Sequence, residues 1–344
     1  MTINSKPCAW TENWISIETD GFTRPCCGET DIQARIAPIK NGILAAFNDS
    51  KLIQLSETLH TQGYNAATEP YCHRCRELED NKKSNLRSGT LRLTDTRQLS
   101  AIQFKMSNKC QLACAHCGPD RSSTWAKLLN IHPHVQNSFT LSEDFIQELK
   151  RLIPELQILK FTGGEPLLDP NHWRILAALT NTDCSHIELQ YITNGLIKPR
   201  SDLWQGFKSV NCSVSADGYE DTYAWFRRNA TWAELNDGVE LLKKHATVTI
   251  SYAVTPWTYK DVDRARNYWD LPFESTNVVY PLHQNLHRFP RLAAEAGLKH
   301  FSAFGAGAEK IENTLNQYKN FALQWDLQWN TPGWAEKLYP WLNN

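Results

Sequence analysis

The 344-residue chain lacks the features that would settle its partners by charge or hydrophobicity alone. Its 36 Lys and Arg nearly balance its 37 Asp and Glu, so the formal net charge of −1 gives no overall case for nucleic acid or a membrane surface. No run approaches the roughly 18 apolar residues of a membrane-spanning helix. The N-terminal residues MTINSKPCAW lack the basic-then-apolar pattern of a signal peptide. We therefore expect a cytoplasmic protein without a nucleic-acid or membrane partner.

Cysteine, in contrast, is abundant, with ten residues. In a chain without an export signal, such residues indicate metal ligands rather than disulfides. Three of them, Cys110, Cys114 and Cys117, have the spacing C-x3-C-x2-C directly after a strand-like run at 101–106. Thiolates this close on one loop can bind one soft metal centre, and three ligands leave one metal position open for chemistry. From the spacing alone, a zinc site with a remote fourth ligand is the alternative.

A second group of cysteines lies within residues 1–90. It comprises Cys8, Cys26, Cys27, Cys72 and Cys75. The alternating run at 14–18 and the turn at 19–21 predict a β-hairpin that brings the cysteine pair back toward the first cysteine. The C-x2-C pair predicts a short metal-binding knuckle. Four thiolates would complete a site, but their number does not distinguish zinc from an iron–sulfur cluster.

Between these cysteines, residues 43–62 have the apolar spacing of a helix. The apolar face consists of Leu44, Phe47, Leu52, Leu55 and Leu59. Residues 76–100 are polar and charged and predict a connector to the rest of the chain.

From residue 101 onward, strand and helix patterns alternate as βα units require. Strands are predicted at 101–106, 157–162, 187–193, 209–215, 247–254 and 276–281. Helices are predicted at 121–130, 142–152, 170–180, 220–227, 232–245 and 260–268. Six strands indicate an open barrel rather than a closed eight-stranded one, and in such barrels the functional residues lie at the carboxyl ends of the strands.

Three further motifs follow predicted strands. They are FTGGEP at 161–166, YITNG at 191–195 and CSVSADG at 212–218. The glycines permit positive φ or a close backbone approach. Strand alternation puts Ser213 and Ser215 on one face and Cys212 on the other, where a small buried side chain is expected. Arg227 and Arg228 come next, and a guanidinium group suits a carboxylate. Taken singly, these motifs also fit ordinary turns and a solvated arginine pair.

Together, the cysteine triplet and these motifs resemble the radical S-adenosylmethionine (SAM) enzymes. The resemblance implies a partial (β/α)6 TIM-like barrel in which Cys110, Cys114 and Cys117 hold a 4Fe–4S cluster. SAM would bind the fourth iron, and one electron would split it to a 5′-deoxyadenosyl radical that abstracts a hydrogen atom from substrate. The implied SAM contacts are Gly163, Gly164, Glu165, Asn194, Ser213, Ser215, Arg227 and His116, the aromatic residue before the third cysteine.

The N-terminal cysteine order resembles the SPASM or twitch module of some members of this family. This implies a Cys-rich α+β module with a second, auxiliary 4Fe–4S cluster on Cys8, Cys26, Cys72 and Cys75. The expected organisation is this module at 1–90, the radical SAM barrel at 91–285 and a helical extension at 286–344.

The expected partners are an electron donor such as flavodoxin or ferredoxin and a substrate. A ribosomally made peptide is the first expectation for the substrate, and a small metabolite, sugar or nucleotide is the second. A non-catalytic, zinc-clustered binding protein is the alternative of another class.

Overall fold

The computed structural model describes residues 5–27, 34–80, 86–90, 93–128, 141–255, 258 and 261–277. The predicted C-terminal extension at 286–344 lies outside the described residues. Within them, no helix has both the length and the apolar character needed to cross a bilayer.

A single sheet of eight strands organises the described part of the chain. The strands are β1 (Trp14–Ile17), β2 (Thr23–Arg24), β3 (Ala101–Phe104), β4 (Ile158–Phe161), β5 (Glu188–Thr193), β6 (Ser209–Ser215), β7 (Thr247–Val254) and β8 (Phe273–Asn277). Their order is β2-β1-β3-β4-β5-β6-β7-β8. Only the β1–β2 hairpin is antiparallel among these pairs, so the sheet has the mostly parallel form expected of βα units.

The first five strands predicted after residue 100 are present and pair in chain order. The sixth, predicted at 276–281, overlaps β8 at 276–277, and its remaining residues lie outside the described residues. The last one differs from its prediction, because it begins at Phe273, where it pairs with Ile250 of β7. The prediction started at residue 276 because it followed the apolar run there. The described strand includes the polar segment FEST, since a strand is defined by its partner as well as by its own pattern.

The N-terminal hairpin is confirmed, and β1 has a partner that its sequence does not indicate. Trp14 pairs with Ala101 and Ile17 with Phe104, so β1 lies parallel to β3. The N-terminal cysteine region therefore shares a sheet with the βα units. Alternation predicts that a segment is a strand, but it carries no information about which distant strand lies beside it.

Eleven helices accompany the sheet in the described residues. They are α1 (Ala9–Asn13), α2 (Ile43–Phe47), α3 (Ser50–Thr61), α4 (Glu69–Asp80), α5 (Leu86–Gly89), α6 (Ser123–Leu128), α7 (Glu143–Leu152), α8 (Pro170–Leu179), α9 (Asp221–Phe226), α10 (Trp232–Lys243) and α11 (Val262–Tyr268). Capping side chains set several starts: Ser142 accepts from the Phe145 amide, and Thr231 with Glu234 forms a capping box on α10.

The helix predicted at 43–62 is two helices, because Asp49 caps a new start by accepting from the Lys51 amide. Leu44 was wrongly assigned to the buried face: it lies on the short α2 and is 44% exposed. The other four predicted apolar positions are buried.

The two faces of the sheet differ in character. One face is apolar, with Ile17, Phe104 and Phe161 packed in a core that includes residues of α7, α8 and α10. The opposite face carries a polar row across five strands. In register, this row consists of Ser16, Gln103, Lys160, Gln190 and Asn211. Within this row Ser16 and Gln103 are buried and share a hydrogen bond of 3.1 Å, whereas Lys160, Gln190 and Asn211 are partly exposed.

Candidate metal centre

The three-cysteine loop follows β3 and is held from two sides. The amides of Ala113 and Ala115 donate to the carbonyls of Arg228 and Phe226, at 3.1 and 2.8 Å. On the other side, the Trp125 indole of α6 donates to the Cys114 carbonyl at 2.8 Å. These contacts fix a loop that has no helix or strand of its own through Cys114 and Cys117.

The Gly163–Gly164 pair lets the loop after β4 run against the cysteine loop. The Gly164 amide donates to Ser107 O at 3.1 Å, and the Glu165 amide donates to Lys109 O at 2.6 Å. A Cβ on Gly164 would lie 2.3 Å from Lys109 O. Gly163 has a φ of +120°, which other residues adopt only with strain. The structure thus brings the cysteine triplet and the glycine pair together, although Gly163 follows Cys117 by 46 residues.

Glu165 joins the ends of two neighbouring strands. Its Oε1 accepts from Thr193 Oγ1 at 2.7 Å and from the Leu167 amide at 3.0 Å, while Oε2 accepts from the Asn194 amide at 2.7 Å. Burial raises the pKa of this carboxyl group, although the three donors oppose that shift. The glutamate therefore orders the loops after β4 and β5 around the cysteines.

Asn194 lies beside the first cysteine. Its Nδ2 is 3.9 Å from Cys110 Sγ, and its side chain exchanges hydrogen bonds of 3.3 Å with Gln111. Its Oδ1 also accepts from the Leu196 amide at 3.0 Å. Gln111 was not identified from the sequence, and its only signal was a position inside the cysteine triplet.

Arg227 and Asp217 form a buried pair against the second cysteine. Arg227 Nε and Nη2 donate to the same Asp217 oxygen at 2.9 and 2.6 Å, and Nη1 is 3.8 Å from Cys114 Sγ. The other Asp217 oxygen accepts from the Ala253 amide of β7 at 2.6 Å. The sequence analysis quoted Asp217 only as part of the CSVSADG motif and did not assign it to the site.

His116 stacks on Phe226, with 5.1 Å between ring centroids and an interplanar angle of 8°. Its Nδ1 is 3.8 Å from Asp217 Oδ2. Loss of solvation lowers the pKa of His116 to about 4, so the imidazole is neutral at neutral pH. A neutral, flat ring at this position presents an aromatic surface beside the third cysteine.

Ser213 and Ser215 lie half-buried on the polar face of β6. Cys212 points the other way and is 1% exposed within the apolar core, which confirms its expected role as a small buried side chain. The two serines therefore share a face with the polar row and not with the helices.

Four of the five cysteines in the second group line one cavity. Its walls include Cys8, Cys26, Cys72 and Cys75. The structure corrects the knuckle expected for the C-x2-C pair: Cys72 and Cys75 lie on α4, where a spacing of three residues puts both side chains on one helix face. Arg87 also lines this cavity and pairs with Glu79 at 2.6 Å.

The cysteine chemistry fits bound metal clusters. Burial raises the pKa of Cys110, Cys114 and Cys117, that of Cys114 to about 12, and raises the pKa of Cys8 to about 11. Buried thiolates need a cation to balance their charge, which a metal supplies. Among the described residues, no three His, Cys, Asp or Glu side chains meet at one point that could hold a single ion. The thiolates of a four-iron cluster bind different irons, so they need not meet at one point.

Fold and site together define an α/β protein with three cysteines on the loop after β3, among loops at the carboxyl ends of adjacent parallel strands. Residues 104–268 match the family profile described as "Radical SAM superfamily". This segment contains the cysteine triplet, the glycine pair and Arg227. The matched segment is just under half of the chain, and the match supports a radical SAM enzyme.

Individual relatives match parts of the chain. The radical SAM cyclopropyl synthase TigE of Paramaledivibacter caminithermalis is 29% identical over 161 residues, which are 44% of this chain and 32% of TigE. Among solved structures, native anSMEcpe with bound AdoMet is 20% identical with a TM-score of 0.43, covering 60% of this chain and 60% of its own. Streptococcus suis SuiB bound to S-adenosylmethionine is 12% identical with a TM-score of 0.41, covering 74% and 64%. The chain thus spans about a third of TigE and under two thirds of these two structures.

Proposed function

We propose that this protein cleaves SAM reductively at a 4Fe–4S cluster held by Cys110, Cys114 and Cys117, and uses the resulting 5′-deoxyadenosyl radical to abstract a hydrogen atom from a substrate. The observation that carries the proposal is the backbone contact between the cysteine loop and the Gly163–Gly164 loop at neighbouring strand ends. When bound, the cluster supplies the electron and an open iron position for the cofactor.

The residues of this chain order the pocket around that position. Glu165 ties the loops after β4 and β5 together, and Asn194 places an amide next to Cys110. His116 offers a neutral ring beside the third cysteine. We place SAM against this set. Its proposed contacts are Gly163, Gly164, Glu165, Asn194, Ser213, Ser215 and His116. The predicted pairing of Arg227 with the SAM carboxylate stays a prediction. The two guanidinium nitrogens that could bind a carboxylate together, Nε and Nη2, already donate to Asp217.

The test is anaerobic purification followed by iron and sulfide analysis and an assay for 5′-deoxyadenosine after reduction with dithionite. We expect about eight iron and eight sulfide per chain for two clusters. Cys114→Ala should abolish formation of 5′-deoxyadenosine and remove about half of the iron. Cys184→Ser is the control, since this cysteine lies outside both groups. Stoichiometric zinc without iron would instead establish the zinc-clustered binding protein.

The second part of the proposal is an auxiliary 4Fe–4S cluster on Cys8, Cys26, Cys72 and Cys75. These four line one cavity, whereas the Cys27 carbonyl accepts a hydrogen bond from Lys105 Nζ at 3.3 Å. Four cysteines leave no iron open for substrate, so electron transfer is the role that fits this cluster. Flavodoxin or ferredoxin would supply the electrons to the enzyme.

A matched cysteine pair tests the auxiliary site. Cys26→Ser should lose about four of the eight irons, the content of one such cluster, while Cys27→Ser should keep all of them. Iron analysis and electron paramagnetic resonance of the reduced proteins give the count and the cluster type. Equal loss in both variants would contradict the ligand assignment.

For the substrate, we propose a ribosomally made peptide, on the likeness of the N-terminal cysteine order to SPASM and twitch modules. The polar row supports this class because Gln190 and Asn211, which are partly exposed, carry amides that both donate and accept, as a peptide backbone requires. The hydroxyl-rich groups of a sugar or nucleotide are the second candidate for the same row. Peptide and small-molecule panels, assayed for substrate-dependent 5′-deoxyadenosine, separate the two classes.

We further propose that β3 to β8 form the partial barrel of a domain at 91–285, after the auxiliary module at 1–90 and before the extension at 286–344. Strands in uninterrupted parallel order with one polar face support this arrangement. Oxygen-sensitive clusters need a reducing compartment, and we therefore propose the cytoplasm.

A further inference from the structure

We propose that Arg227 raises the reduction potential of the three-cysteine cluster through a hydrogen bond to Cys114 Sγ, with Asp217 as its positioning residue. The inference rests on the proposed function, because it concerns the cluster that the three cysteines would hold. It differs from the sequence-based prediction, in which Arg227 binds the SAM carboxylate.

The Arg227 guanidinium group contacts two partners, Asp217 and Cys114 Sγ. Its Nε–Nη2 edge, the fork that binds a carboxylate in bidentate fashion, is occupied by Asp217 at 2.9 and 2.6 Å. The remaining end, Nη1, lies 3.8 Å from Cys114 Sγ, which is within reach of an N–H···S hydrogen bond. A SAM carboxylate would have to displace Asp217 to use the fork.

Asp217 is itself fixed, so the pair cannot easily rotate away. Its second oxygen accepts from the Ala253 amide at 2.6 Å, and both Asp217 and Arg227 are buried, at 1% and 7% exposure. Separating them would leave a buried carboxylate without its cation, which is costly. The backbone of Arg227 is also held, because its amide donates to Tyr223 O at 2.7 Å.

The physical effect on the cluster follows from charge. Reduction adds an electron that is shared by the irons and the thiolate sulfurs. A cationic N–H donor on one sulfur stabilises the reduced form more than the oxidised form, and hydrogen bonds to sulfur are one of the means by which proteins set cluster potentials. Arg227 therefore makes the cluster easier to reduce, while the negative Asp217 acts in the opposite direction.

The experiment is a redox titration of the cluster-loaded full chain without SAM, followed by electron paramagnetic resonance. Arg227→Gln should lower the midpoint potential by about 59 mV or more. For a one-electron reduction, this shift is a tenfold change in the equilibrium constant. Asp217→Asn keeps a side-chain oxygen that can accept from Arg227 and removes the negative charge, so it should shift the potential upward. Arg227→Lys should recover part of the loss. Arg228→Gln is the matched control. Arg228 is the next residue along the chain and its side chain is exposed, so this substitution should leave the midpoint potential unchanged.

Opposite shifts in Arg227→Gln and Asp217→Asn establish the inference, and a merely structural role would not produce them. If Arg227→Gln fails to assemble a cluster, Arg227→Lys decides: a smaller downward shift establishes the inference, and no shift overturns it. Unchanged potentials with a tenfold weaker SAM affinity in Arg227→Gln would overturn it in favour of carboxylate binding. A wild-type protein without a cluster would instead refute the proposed function itself.

Discussion

Single residues set the distances between the site's loops. The cysteine spacing and the glycine pair were identified from the sequence, because closely spaced cysteines and a residue without a side chain are local signals. Asp217 and Gln111 were not, although each touches the site. An aspartate or glutamine shows its role only when its partner is known, and here the partners come from other segments.

Gly164→Ala tests the close approach of the two loops. The new Cβ would lie 2.3 Å from Lys109 O, so the backbone of one loop must move. We expect a loss of about 1–3 kcal/mol in the free energy of unfolding and a lower iron content at the three-cysteine site. Gly89→Ala is the control, because nothing lies within 4 Å of a Cβ there. Urea unfolding and iron analysis measure both effects, and equal behaviour of the two variants would contradict the contact.

At the scale of elements, the boundaries of helices were predicted well where the apolar pattern is strong. The strand beside which β1 lies was not predicted. The α7, α8 and α10 helices lie within two residues of their predicted ends, because periodic apolar residues and caps mark them. The C-x2-C pair on α4 was assigned to a knuckle, since a short spacing between cysteines fits a loop and a helix equally. The parallel pairing of β1 with β3 depends on contacts across more than 80 residues.

A buried ion pair links the β1 hairpin to the segment that follows β3. Lys105 Nζ donates to Glu18 Oε1 at 2.8 Å and to the Cys27 carbonyl at 3.3 Å. Ser16 Oγ also donates to Glu18 Oε1 at 2.8 Å. Lys105 therefore connects the β1 hairpin and the Cys27 backbone to the segment that leads into the three-cysteine loop.

Lys105→Met should destabilise the protein by about 3–5 kcal/mol, because Glu18 is left buried without its cation. The double variant with Glu18→Gln should recover part of that loss, since the uncompensated charge is gone. Urea unfolding measures both. Lys243→Met, which removes a lysine from an exposed pair with Glu240, should leave the unfolding midpoint unchanged. A small effect at Lys105 would show that the hairpin is held by the sheet alone.

At the scale of the whole molecule, the sheet has one apolar face and one polar face. Helices pack on the face that carries Phe104 and Phe161, and the polar row lies on the other. Within the apolar layer, His172 is fully buried, and its Nε2 is 2.8 Å from the Tyr191 hydroxyl. Burial lowers the pKa of His172 to about 3, so this histidine is neutral in the folded protein.

His172 makes the stability of the molecule depend on pH. Below an unfolded pKa of about 6.5, the unfolded chain binds a proton at this site that the folded chain does not, so stability is lost as pH falls from there toward 3. Wild type should lose about 1 kcal/mol between pH 6.5 and 5.5 from this group, and His172→Gln should not. Urea unfolding at both pH values measures the difference. Identical pH dependence in the two proteins would mean that His172 is solvated.

The sequence by itself determined which cysteines are candidate ligands and the order of strands and helices, because thiol spacing, glycine turns and apolar periodicity are properties of short segments. Tertiary structure alone decided that β1 extends the sheet, that Glu165 bridges two strand ends, that Cys26 rather than Cys27 lines the N-terminal cavity, and that Arg227 faces Cys114 from across 113 residues. Each of these contacts joins groups that no local pattern relates, and packing brings them together only when the sheet has formed.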